Sequence, residues 1–314
     1  MNALKNQNKI TFVSGCDSNY FPMLLELIHS IRRFEQSKDM DICILDAGLT
    51  TTQIERLKPH VSSIVNPDWP KGIPSHKLKG EYLKGCICRP FIPEMFNGYK
   101  TYIWMDADTW LQDWRVIELY IEGANRNKLA ITSQADRACL RQTRIKWLGP
   151  LPYKVRGFYY SNALLAYGRK KAKQIFPFQV LNAGSFALNH DAPHWKRWQE
   201  LAVETAIKGK VFTAEQLSLG IMTYLEKYPV EILPAWTQWL FGETPLWNCK
   251  NAKYVETFLP HETIGIVHLS GLKKTRIDRS IKTDITTLKG ERISQSLRYP
   301  FYNGETDEEI VDHP

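Results

Sequence analysis

The first third of the chain alternates short β-rich runs with helical patterns, and this order restricts the architecture more than any single motif does. Lys9–Gly15 (KITFVSG) is a short apolar run rich in strand-forming residues. Tyr20–Phe34 then carries Leu24, Leu27, Ile28 and Ile31 at helical spacing on one face. A second apolar run, DICILDAG, begins at Asp41. Thr51-Thr52-Gln53-Ile54-Glu55 has the composition of a capped helix start, and a short third strand is expected at Ser62–Val65. Gly80–Phe96 reads as another helix, which Pro90 and Pro93 must break or bend. A fourth strand opens TYIWMDADTWL at Thr101. This order predicts an α/β fold with a mostly parallel central sheet flanked by helices. Ligands of such sheets occupy the crevice beyond the carboxyl ends of the strands. Two polar clusters fall there: Ser14 to Tyr20 after the first strand, and Asp106 to Asp108 after the fourth.

The second half is less regular. Residues from about 135 to 178 mix Arg, Lys, Tyr and Trp without clear periodicity, and predict an elaborated loop or helical insertion. QVLNAGSFALN reads as a strand, Pro193–Ile207 and Thr213–Tyr228 as helices, and VEILPA and GIVHLSG as late strands. No internal repeat or low-complexity linker divides the chain. A single domain over 1–300 is therefore expected, followed by an acidic, poorly ordered tail over 301–314.

The net charge of +8 and pI near 9 favour anionic partners. Much of the excess lies in RQTRIKWLGPLPYKVR and KKTRIDRSIKTDITTLKGER. The second run reads first as a solvated face, with peripheral membrane contact as the lesser expectation. No nucleic-acid recognition motif is present, so no nucleic acid is expected. No run of eighteen apolar residues and no signal-peptide pattern are found, which predicts a cytoplasmic protein, at most peripheral at the inner membrane face. Six cysteines lack zinc-knuckle spacing and are expected to be free thiols.

Asp106-Ala107-Asp108 follows the apolar run Tyr102-Ile103-Trp104-Met105. Two carboxylates two residues apart at a strand end can reach one cation where the chain bends away. Hard oxygen ligands select Mg²⁺ or Mn²⁺, which in turn bind phosphate oxygens. The competing reading is a solvent-exposed turn with two acids. A dehalogenase-type phosphatase also places such a pair after a strand, but near the N-terminus and with Thr or Val where Trp110 stands here.

Other fragments strengthen the first reading. Asp17-Ser18-Asn19-Tyr20 follows the first strand, Leu181-Asn182-Ala183-Gly184 precedes an apolar run, Glu215-Gln216 opens a helix, and His268-x-x-Gly271-x-x-Lys274 ends a strand. With Arg89 and the Asp pair, these resemble the retaining glycosyltransferases of family 8, the group that contains glycogenin and bacterial lipopolysaccharide galactosyl- and glucosyltransferases. The likeness runs in order from Ile10 to Lys274. It implies a single GT-A domain, Rossmann-like, that uses Mn²⁺ (or Mg²⁺) to transfer a hexose from a UDP-sugar to a hydroxyl of a glycan, a lipid-linked sugar or a protein, with retention. Asp106, Asp108 and His268 would hold the metal. Ser14, Asp17, Asn19 and Tyr20 would meet the nucleoside, with Tyr20 stacked on the base. Gly271 and Lys274 would meet the diphosphate. Arg89, Asn182, Gly184, Glu215 and Gln216 would surround the sugar, with Gln216, Glu215 and Asp106 nearest the chemistry, and the 135–178 segment would build the acceptor side. The chain departs from the pattern where Glu215 replaces Asp, and where Thr275 and Arg276 replace Pro-Trp.

Bland readings compete: Tyr20 as a helix start, Asn182 and Gly184 as a strand bulge, His268 as a core histidine, and Glu215-Gln216 as an acidic first turn. At the level of the whole chain, the alternatives are a catalytically inactive nucleotide-sugar or glycan-binding module and a sugar-nucleotide pyrophosphorylase. The pyrophosphorylase would want a basic, Gly-rich loop after the first strand, and Ser14-Gly15-Cys16-Asp17 offers one Gly and no Lys.

Overall fold

A computed structural model describes residues 9–300; the tail expected over 301–314 lies outside the described residues. β1 (Ile10–Cys16), β2 (Asp41–Asp46), β3 (Ser63–Val65) and β4 (Thr101–Met105) are the four strands expected from the first third. β5 (Thr109–Leu111) continues beyond Asp108 in a different sheet, and β6 (Leu129–Ser133) returns to the first. β7 (Thr143–Leu148) and β8 (Leu151–Gly157) form a separate hairpin. β9 (Leu181–Asn189) and β10 (Val230–Leu233) complete a seven-stranded sheet of order β10-β6-β9-β4-β1-β2-β3. Neighbours pair in parallel throughout except at β9, which is antiparallel to both β4 and β6. β11 (Gln238–Leu240), a small β12–β13 hairpin (Leu246–Asn248 and Lys253–Val255) and β14 (Ile266–His268) follow. β14 lies between β11 and β5 in a second, three-stranded sheet.

The helices cover both faces. α1 (Phe21–Arg32) buries Leu24, Leu27, Ile28 and Ile31, the face its spacing predicts. α2 (Thr51–Leu57) starts behind a capping box in which Thr50 accepts from the Gln53 N–H and the Gln53 side chain reaches back. The helix expected over Gly80–Phe96 is cut, as Pro90 and Pro93 demand, into α3 (Lys84–Ile87) and α4 (Ile92–Met95), with a 3₁₀ turn over Arg89–Phe91 between them. α5 (Arg115–Asn125) packs beside β6, and neither is apparent from the sequence pattern. α6 (Phe158–Ile175), α7 (His194–Lys208), α8 (Val211–Gly220) and the short α9 (Lys273–Ile277) complete the set. No helix of the described residues is long and apolar enough to cross a membrane.

β4 shows why the centre of the sheet reads as one apolar run. Tyr102 and Trp104 enter the core beneath α7 and α8, while Ile103 and Met105 enter the core beneath α1 and α5. A strand buried on both faces has no polar alternation to display. At the carboxyl edge of that strand the chain must bend, and the bend is where the carboxylates begin.

Candidate active site

Met105 ends β4, and the Asp106 N–H donates to the Gly184 carbonyl of β9 at 2.8 Å. The chain turns through Asp106-Ala107-Asp108 into β5, which pairs antiparallel with β14, Thr109 standing opposite His268. That register carries the imidazole to the Asp pair. His268 Nε2 lies 3.4 Å from Asp108 Oδ1 and 4.0 Å from Asp106 Oδ2. One donor atom from each of the three falls within 4.8 Å of the others. Gln238, on β11, sets its side-chain amide 3.2 Å from His268 Nδ1. The contacting atom is Gln238 Nε2, while Gln238 Oε1 is buried without a partner; an end-for-end turn of the amide would set Oε1 on Nδ1–H and leave His268 Nε2 free for a metal.

Arg89 braces the opposite side. Its Nη2 is 2.7 Å from Asp106 Oδ1, its Nη1 is 3.0 Å from Glu215 Oε1 and donates to the Ala183 carbonyl, and its plane lies 4.8 Å over the Trp104 ring. Trp104 Nε1 also donates to Asp106 Oδ1. These contacts order the electrostatics. Burial raises the Asp106 carboxyl above its usual range, against the pull of Arg89. Asp108 is also buried, yet His268 and Arg276 together hold it below the usual range. Burial pushes Glu215 up to about 7 despite Arg89.

A cleft of about 390 Å³ opens over these groups, lined also by Asp17, Tyr20, Asn182, Gly184 and Gln216. Asn182 Oδ1 accepts from the Gly184 N–H, while its buried Nδ2 has no hydrogen-bond partner. Glu215 Oε2 is likewise buried and unpartnered. Gln216 Nε2 donates to the Leu181 carbonyl. Asp17 caps its own turn, accepting from the N–H groups of Asn19 and Tyr20. Four expected residues stand outside the lining. Ser14 is buried in β1, Asn19 is exposed, and Gly271 (φ +87°) and Lys274 are exposed beyond β14.

Arg276 is the functional candidate that sequence reasoning missed. Its Nη1 donates to Tyr20 Oη at 2.8 Å and sits 3.2 Å from Asp108 Oδ2. Positions two apart on a helix face nearly opposite ways, so the turn of α9 that aims Arg276 inward aims Lys274 at solvent. The available signal was a cation standing where the related pattern has Pro-Trp.

No family model matches the sequence, and no curated protein matches it significantly. Solved structures do match. An apo structure of WbbM, described as a bifunctional glycosyltransferase, superposes with a TM-score of 0.52 at 17% identity over 84% of this chain and 46% of that one. An active-site mutant of LgtC gives 0.50 at 15% identity over 83% of this chain and 87% of that one. This chain is a fold relative of these glycosyltransferases. It has the mixed α/β GT-A architecture, and it spans less than half of the WbbM chain.

Proposed function

We propose that the chain is a metal-dependent glycosyltransferase that moves a hexose from a UDP-sugar to a hydroxyl acceptor with retention. The observation that carries this reading is the meeting of Asp106, Asp108 and His268 at the carboxyl edge of a GT-A sheet. Two carboxylates and one imidazole form a donor set that suits Mn²⁺ better than Mg²⁺, and the close approach of Gly184 to His268 leaves the ring its place in that set. A bound divalent ion would stabilise the charge of the departing diphosphate.

The remaining roles belong to the chain. Tyr20 offers a ring to the base, and Asp17 fixes the turn that presents it. Arg276 supplies positive charge for phosphate oxygens. Arg89 holds Asp106 and Glu215 in place, so neither carboxyl swings when a sugar enters. The unpartnered Asn182 Nδ2 and Glu215 Oε2 are buried polar atoms that sugar hydroxyls would satisfy. Gln216 is tied through its Nε2, which leaves its amide oxygen for the cation-like face of the sugar. Bonding of the acceptor oxygen to the anomeric carbon accompanies departure of the diphosphate on the same face, and the acceptor proton leaves with a phosphate oxygen. Residues 135–178 form the acceptor side, where a glycan, lipid-linked or protein hydroxyl would approach.

A second reading, binding without turnover, rests on Arg276 already engaging Asp108. One assay separates the two: nucleotide release from a panel of UDP-hexoses, with Mn²⁺ and with chelator, for the wild type, Asp108→Ala and His268→Ala. Slow metal-dependent release from one donor, reduced about a hundredfold or more in both variants, is expected. Tight binding without release supports the inactive module. No binding of any nucleotide sugar overturns both readings.

A further inference from the structure

We infer that the β7–β8 hairpin is a docking arm for an anionic lipid bilayer, a property independent of what the cleft transfers. Residues 137–190 contain ten Lys and Arg and no Asp or Glu. In the hairpin, Arg144 stands directly opposite Arg156, and Lys146 opposite Lys154. Like charges facing each other across a ladder destabilise it. None of the four forms an ion pair among the described residues, and no acid of the same segment is there to supply one. Among the described residues the ladder therefore lacks a counter-charge, and a surface of phosphates would supply it.

The tip has the opposite character. Trp147 is 60% exposed, Leu148 70%, Leu151 67% and Tyr153 70%, around the turn Gly149-Pro150. Four large apolar side chains exposed together around one turn form a patch of the kind that marks an interaction surface. An apolar, aromatic tip beyond a cationic ladder matches the depth profile of a bilayer interface, the tip entering the hydrocarbon boundary and the ladder lying among the anionic headgroups. Single-stranded nucleic acid would meet the same cations and could stack on Trp147 and Tyr153, but it has nothing to offer Leu148 and Leu151. The arm joins the cleft: Phe158, the residue after β8, lines it. Docking would hold the cleft mouth near the membrane surface.

The test is co-sedimentation of the full chain with vesicles of phosphatidylglycerol and phosphatidylcholine in equal parts, against phosphatidylcholine alone. Binding to the anionic vesicles only, released by high salt, is expected. Trp147→Ser/Leu148→Ser/Leu151→Ser should weaken it about tenfold or more, and Lys146→Gln/Lys154→Gln, which removes two of the four ladder cations, should weaken it and flatten its salt dependence. Thermal melts of both variants matching the wild type show that the fold is intact. Failure of the wild type to bind anionic vesicles, or undiminished binding by the tip variant, overturns the proposal. So does a dimer in sedimentation velocity that the tip variant alone dissolves, or binding of poly-uridine in preference to vesicles.

Discussion

Gly184 and His268 are in contact so close that a β-carbon at position 184 would stand 2.4 Å from His268 Cε1 and 2.8 Å from Gln238 Nε2. The imidazole lies on the bare backbone of β9, and the absent side chain is what lets β14 deliver it to the Asp pair. Gly184→Ala should therefore move the ring and its Gln238 partner together. Mn²⁺ affinity measured by titration calorimetry should fall about 10- to 100-fold, with the circular dichroism spectrum unchanged. Equal Mn²⁺ affinity in the variant would show that His268 is not a ligand.

Arg276 bridges Tyr20 Oη and Asp108 Oδ2. On the proposed function it would compete with a metal for Asp108 and would meet a diphosphate once the metal arrived. Arg276→Ala should bind Mn²⁺ more tightly in the absence of nucleotide, and should bind UDP about tenfold more weakly in the presence of Mn²⁺. Arg276→Lys should restore little of the nucleotide affinity, because an ammonium lacks the planar fork. If both affinities are unchanged in Arg276→Ala, the bridge has no part in binding.

What could be read from residues, and what could not, follows from geometry. β1 to β4 were legible because buried parallel strands are continuous apolar runs, and the Asp pair was legible because β4 ends in it. α5 and β6 were hidden. Leu129–Ser133 is five residues long, buried throughout, and closes on Thr and Ser. Gly123 sits near the end of α5 where a helix former would be expected, because a β-carbon there would stand 2.7 Å from that of Ala130. The β7–β8 hairpin was masked because most of its side chains are exposed, which leaves no apolar alternation. Lys274 has the spacing of a site residue, yet the direction in which α9 points it is a tertiary property that offsets along the chain do not encode.

Glu26 of α1 is 2% exposed and receives Arg298 through two bonds, Nε to Oε2 at 2.7 Å and Nη2 to Oε1 at 2.8 Å, with Arg279 on the same carboxylate. Arg298 Nη1 in turn donates to the carbonyls of Thr275 and Arg276. The pair thus ties the C-terminal segment to the first helix and steadies α9. Glu26→Ala would strand a buried guanidinium and should cost about 3–5 kcal/mol in urea unfolding. It should also weaken UDP binding. A loss below about 1 kcal/mol would mean that Arg298 reaches water when released.

Glu215 gives the pH dependence. Burial raises its carboxyl from an ordinary 4.5 to about 7, Arg89 pulling the other way and Asp106 pushing with it. In the folded chain the proton stays on; in the unfolded chain it leaves near 4.5. The unfolded state therefore binds fewer protons between these values, and this group's contribution to stability, full below 4.5, is lost as the pH rises toward about 7. Glu215→Gln keeps the shape and removes the titration. Measured by urea unfolding with chelator at about pH 5 and about pH 8, the variant should gain on the wild type at the higher pH. A difference that does not change with pH would mean that Arg89 neutralises an ionised Glu215 in full, and that the carboxyl enters the reaction charged.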